Sequence, residues 1–166
     1  DVCSSDLSRR INDLLETVAL MAPQFKLLIV GNGPFLSELR EEAAKQTNLV
    51  SAFTGGVPYK SLGAILSRCD IGFLYYPSDT LNNTYCASNK IYEYASVGLP
   101  MLANDNPTVK AILEESKIGV STNDFSRGIL EISSNKNQYK QFCSSFTENN
   151  QWNDEAECLK KNIVIL

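Results

Sequence analysis

One alternation constrains this chain more than any other feature. Short, almost wholly apolar runs recur along it: KLLIV (26–30), NLVSAF (48–53), DIGFLYY (70–76), LPMLAN (99–104) and KIGVST (117–122). Between them lie segments whose apolar residues fall at helical spacing. Leu7, Ile11, Leu14, Leu15, Val18 and Met21 share one face of a helix over about 6–22, and further helices are expected over 35–46, 59–69, 88–98 and 106–116. Strands buried on both faces read as continuous apolar runs, and a parallel return needs a crossover long enough to hold a helix. The pattern therefore predicts an α/β fold, with a parallel sheet and helices on both faces. From about Asp124 onward, through the Trp152 segment, the chain reads as two or three helices forming a C-terminal tail. No linker, repeat or low-complexity tract divides it, and 166 residues suffice for one core.

In such a sheet, ligands bind beyond the carboxyl ends of the strands, near the point where strand order reverses. Three turns deserve inspection there. GNGP (31–34) is not a G-x-G-x-x-G fingerprint, because position 36 is leucine. Its glycines, Gly31 and Gly33, either relieve a tight turn or admit a ligand to the backbone. FTGGVP (53–58) has the same two readings, with Gly56 and Val57 able to lie against a flat ligand. PSDTLNNTYCAS (77–88) is long for a loop of a compact α/β unit, and such loops often carry function.

CASNKIYEYASVGLP (86–100) then sets a puzzle. Ser88 and Asn89 suit the start of a helix, Gly98 and Pro100 its end. Lys90 therefore stands in the first turn, where the helix dipole disfavours a cation. An anion at the same place resolves the conflict, since free first-turn amides and an ammonium together suit a phosphate or diphosphate. Glu93, one turn along the same face, could accept the hydroxyls of a ribose. The alternative is an exposed Lys–Glu pair contributing only about 0.2–0.5 kcal/mol.

Composition excludes several chemistries. The chain has no histidine, so no Ser-His-Asp or Cys-His scheme and no histidine metal ligation arises within it. Its five cysteines, Cys3, Cys69, Cys86, Cys143 and Cys158, include no C-x-x-C pair and fit reduced thiols. Nineteen acidic residues against fifteen basic ones, with no basic stripe, argue against nucleic acid as a partner. No apolar run reaches the roughly 20 residues of a membrane span. No secretory signal is visible, so a cytoplasmic location is expected, with peripheral contact with the inner face of a membrane left open. Residues 1–7, DVCSSDL, read either as a non-native segment joined to a truncated chain or as a helix lead-in capped by Ser5 or Asp6. They are set apart from the single domain expected over 8–166, and the lack of an initiator methionine suggests a fragment.

Taken in order, VGNGP, FTGGVP, the L…L…CDIGF junction and SNKIYEYASVGLP give the chain a family likeness. It resembles the C-terminal, nucleotide-sugar-binding domain of group 1 glycosyltransferases, the retaining GT-B type, over about residues 9–120. The resemblance implies a Rossmann-like domain forming half of a GT-B fold. It implies that a nucleoside diphosphate sugar binds as donor substrate, with no resident cofactor and no metal. The amides of Cys86, Ala87, Ser88 and Asn89 and the Lys90 ammonium would hold the diphosphate. Glu93 would hold the ribose, and Gly56 and Val57 would lie against the base. Gly31 and Gly33 would belong to the same surface, and Arg9 would supply a basic phosphate contact. Lys90 would be the catalytic group, stabilising the departing diphosphate. Members often carry two glutamates eight residues apart; Glu93 matches the second, but Tyr85 stands at the first position and supplies no carboxylate. The acceptor half would be a separate N-terminal domain, so the isolated chain should not transfer sugar. Two other readings stay open: a non-catalytic nucleotide-binding or regulatory α/β domain, and a purely structural or interaction domain.

Overall fold

The computed structural model describes residues 10–86, 88–151 and 156–157. The elements alternate as α1 (Ile11–Leu20), β1 (Lys26–Ile29), α2 (Leu36–Lys45), β2 (Val50–Phe53), α3 (Tyr59–Leu66), β3 (Gly72–Leu74), α4 (Leu81–Thr84), α5 (Asn89–Ser96), β4 (Met101–Ala103), α6 (Pro107–Ser116), β5 (Gly119–Ser121), α7 (Phe125–Ser134) and α8 (Lys136–Asn149). Every strand pairing is parallel: β1 with β2, β3 with β4, and β4 with β5.

Alternate residues of β4 show why the strands are apolar throughout. Met101 and Ala103 enter one core with Leu74, Ile91, Val109, Leu113, Ile118 and Cys143. Leu102, between them, enters the other with Leu14, Val18, Phe125, Ile129 and Ile132. Successive side chains of a strand point to opposite faces, so a strand covered on both sides must be apolar at every position. Helices α5, α6 and α8 cover the first face, and α1 and α7 the second.

Three expectations need correction. The hydrogen-bonded ladder is not one sheet but two, β1–β2 and β3–β4–β5. A cleft of about 830 Å³ separates β1 from β3. KLLIV, expected as a buried strand, is only partly covered: Ile29 is buried, but Leu28 is 39% exposed, and Val50, the β2 partner of Lys26, is 48% exposed. Inside the expected loop 77–88, α4 forms one short turn. Thr80 caps it, its hydroxyl accepting from Asn83 N at 3.2 Å, and Asn83 Nδ2 donates to Asp79 at 2.9 Å. Side chains that bond their own backbone make such a turn cheap to form. The remaining differences among the described residues are of length; the start of the expected helix over 6–22 and the expected helical Trp152 segment lie outside the described residues.

Candidate functional site

The site is built on the start of α5. Ser88 caps this helix: it is buried, and its Oγ accepts from Lys90 N at 3.2 Å. Asn89 is the first helical residue rather than a second cap, and it is exposed. At the other end, Gly98 takes φ 69°, with Gly98 N donating to Ala95 O and Leu99 N to Tyr94 O. These two bonds are a Schellman closure, which needs a residue without a Cβ penalty at the left-handed position. Ile91 and Ala95 bury one face of the helix, and the Tyr94 ring lies directly against Gly72 of β3. The helix is therefore fixed along its whole length. Lys90 is half-buried and is among the residues lining the β1–β3 cleft, as are Tyr76 and Val30.

The loop leading to Ser88 is fastened by asparagines that the sequence reading did not single out. Asn104 follows β4 and is 6% exposed; its Oδ1 accepts from Tyr76 N at 2.8 Å and its Nδ2 donates to Tyr76 O at 2.9 Å. Asn106 is fully buried. Its Nδ2 donates to Tyr76 O at 3.2 Å and to Asn83 O at 3.0 Å, while its Oδ1 accepts from Thr108 N and Val109 N, both at 3.1 Å. Both donors and both acceptor positions of the amide are thus used. Thr108 Oγ1 adds a bond to Thr84 O at 2.6 Å. The sequence signal was an asparagine closing an apolar strand and another at a helix cap; neither position says on its own what it will hold.

At the ends of β1 and β2 the two glycine turns are tied together. Gly31 N donates to Gly55 O at 2.9 Å, and Thr54 N to Ile29 O at 3.1 Å. Gly31 has φ 126° and Gly55 φ 67°, conformations that a side chain would strain. Gly31 thus shapes the turn and is itself buried; Gly33 is half-buried and its carbonyl accepts from Leu36 N at 3.2 Å. The Asn32 amide lies over Gly56, where a Cβ would come within 2.7 Å of Asn32 Nδ2. Gly56 is exposed and Val57 half-buried. Cys86 is half-buried and packs against the first core. Glu93 is half-buried, and Tyr85 is 71% exposed. Arg9 and Ala87 lie outside the described residues.

A half-buried cation, the N-terminal end of a helix and a carboxylate one turn along make an arrangement suited to a phosphorylated, hydroxyl-bearing ligand. The comparisons bear on which. The family described as glycosyl transferases group 1 matches residues 2–135. The chain belongs to this family. No curated protein matches it by sequence at a significant level. In structure this group 1 glycosyltransferase chain is similar to Anabaena Alr3699/HepE in complex with UDP, with a TM-score of 0.70 at 14% identity, over 96% of this chain and 47% of that one. It is similar to WaaG, a glycosyltransferase involved in lipopolysaccharide biosynthesis, with a TM-score of 0.65 at 15% identity, over 89% and 41% of the two chains. It is also similar to the catalytic domain of cholesterol-alpha-glucosyltransferase from Helicobacter pylori, with a TM-score of 0.68 at 20% identity, over 90% and 93%. The chain thus spans less than half of HepE and of WaaG, and nearly all of the third. These likenesses establish the fold, a Rossmann-like α/β unit of the GT-B type. Among the described residues, no helix is long and apolar enough to cross a membrane.

Proposed function

We propose that this chain is the donor-binding, C-terminal half of a retaining glycosyltransferase that takes a sugar from a nucleoside diphosphate sugar. The observation that carries the reading is the placement of Lys90. A half-buried lysine stands at the positive end of a helix that is capped, packed and closed at both ends, in the lining of the cleft between β1 and β3. A cation there is unfavourable to the empty helix and favourable once a diphosphate arrives. Family membership and the UDP bound to HepE support the choice of ligand. Lys90 would stabilise the charge that grows on the leaving diphosphate. Glu93 would accept from the ribose, and Gly56 and Val57 would face the base. The nucleotide sugar is then a consumed substrate rather than a resident cofactor, no metal takes part, and an N-terminal domain supplies the acceptor. Calorimetric titration of the 166-residue chain with UDP is the test: saturable binding that Lys90→Ala weakens is expected, and no binding by the parent chain would remove the reading.

Tyr85 favours a second reading. It stands exposed where many members carry a carboxylate, so the domain could bind the nucleotide without supporting transfer. UDP binding with no glycosyl transfer by the full-length protein would select it.

A further inference from the structure

We infer that Tyr76 is a positioning residue for the anion-binding end of α5. The inference rests on the proposed reading of that helix start as the diphosphate site. Tyr76 is buried, and its hydroxyl lies 2.7 Å from Ser88 Oγ, the same oxygen that accepts from Lys90 N. Its main chain is gripped at both polar atoms: Asn104 holds N and O, and Asn106 holds O as well. Its side chain belongs to the core cluster that includes Leu74, Ile91 and Ala95, so the ring is seated between β3 and α5.

A phenol fixed at its backbone, along its ring and at its hydroxyl is a rigid post. It reaches from the end of β3 to the cap of α5. Helix-terminal amides bind an anion well only when they are already aimed at it, because ordering them on binding lowers the affinity. Among the described residues, the Ser88 side chain bonds the Tyr76 hydroxyl at the end of β3 and, within its own helix, Lys90 N. The Tyr76 hydroxyl therefore adds, to the packing of Ile91, Ala95 and Tyr94, a polar link at the cap itself, where the first-turn amides and Lys90 begin. It touches no substrate and acts through Ser88.

The experiment titrates the 166-residue chain with inorganic pyrophosphate and with UDP, in the parent, Tyr76→Phe, Ser88→Ala and the double variant. Tyr76→Phe removes one oxygen and leaves the ring packed. It should weaken both ligands by the same factor, about three- to tenfold, the scale of one hydrogen bond. The double variant should bind no more weakly than Ser88→Ala, since the post is already cut. Ile118→Val, in the same core but away from the post, should lower the melting temperature without changing either affinity, which separates aiming from mere stability. Parent affinity in Tyr76→Phe, or losses that simply multiply in the double variant, overturns the inference alone. Where Tyr76→Phe fails to fold, Ser88→Ala cuts the same link from the helix side, and parent affinity there overturns it equally. A parent chain that binds neither ligand overturns the donor-site reading, and this inference with it.

Discussion

Asn104 closes on the backbone of Tyr76 from both sides, accepting from its N–H at 2.8 Å and donating to its carbonyl at 2.9 Å. The pair is buried and sits beyond the ends of β3 and β4, so the amide replaces the sheet ladder where the ladder stops. Strand ends need such partners, because a buried main-chain group without one is costly. Here the replacement also fixes the start of the loop that ends at Ser88. The ordering of a candidate ligand site and the satisfaction of a strand end are one feature.

Asn104→Leu should therefore destabilise the chain by about 1–3 kcal/mol, since it removes the acceptor of the buried Tyr76 N–H, while Tyr76 O keeps its bond from Asn106. Urea unfolding followed by circular dichroism measures this. A loss below about 0.5 kcal/mol, the range of ordinary surface changes, would show that the clamp adds nothing to the fold.

Two glycines in strands should differ in their tolerance of a methyl group. A Cβ at Gly72 would overlap the Tyr94 ring, and one at Gly119 would overlap the Met101 carbonyl on the neighbouring strand. A ring can rotate aside at some cost, whereas a main-chain carbonyl in a parallel ladder cannot move without breaking its pairing. Gly119→Ala should thus lower the melting temperature more than Gly72→Ala, as differential scanning fluorimetry would show. The reverse order would mean that the Tyr94 packing is the stiffer of the two.

The order of elements was legible in the sequence because burial on both faces leaves a plain mark, the continuous apolar run. Met101 and Leu102, adjacent yet in opposite cores, show that mark at its source. The start of α5 was legible for a different reason: Ser88 and Gly98 are residue types with few other uses at those positions. The break between β1 and β3 left no mark, since Leu28 is as apolar as a residue of a closed sheet would be. The roles of Asn104 and Asn106 were hidden too. Their partners, Tyr76 and Asn83, lie 28 and 23 residues away, and no local spacing reports such a contact. Of the proposed site, the glycine turns were read in part: Gly31 serves the turn through its positive φ and its bond to Gly55 of FTGGVP, a link between the two turns that neither stretch shows alone.

The thiols should separate by burial. Cys69, Cys86 and Cys143 are free. Burial pushes the Cys143 thiol up to about 11, and burial followed by the nearby Asp70 raises Cys69. The sign for stability follows directly. In the unfolded chain a cysteine releases its proton near pH 8.5, so between that value and about 11 the folded state holds a proton that the unfolded state has lost. Stability should be independent of Cys143 below about pH 8 and should fall as pH rises through this window. Maleimide labelling at pH 8, read by mass spectrometry, should modify the half-exposed Cys86 well before Cys143. Equal labelling rates in the native protein would show that the core around Cys143 opens readily.

The last prediction concerns the division of work between Lys90 and Glu93. They lie three residues apart on α5, both half-buried, and the proposed site gives them different parts of one ligand. Lys90 should meet the diphosphate, so Lys90→Ala should weaken UDP and inorganic pyrophosphate alike, each by roughly 1.5–3 kcal/mol, the scale of a hydrogen bond to a charged group. Glu93 should meet only the ribose hydroxyls. Glu93→Gln should weaken UDP but leave pyrophosphate at the parent affinity or slightly tighter, because a negative charge near the site has gone. Raising the salt concentration should weaken pyrophosphate binding to the parent more than to Lys90→Ala, since screening acts on the charge that the variant lacks. Titration of both variants with both ligands resolves the question in four measurements. If Glu93→Gln lost pyrophosphate as fully as UDP, the carboxylate would be holding the site together rather than reading a sugar. If Lys90→Ala kept both ligands, the lysine would be a half-buried cation that its helix tolerates, and the diphosphate would have to sit elsewhere.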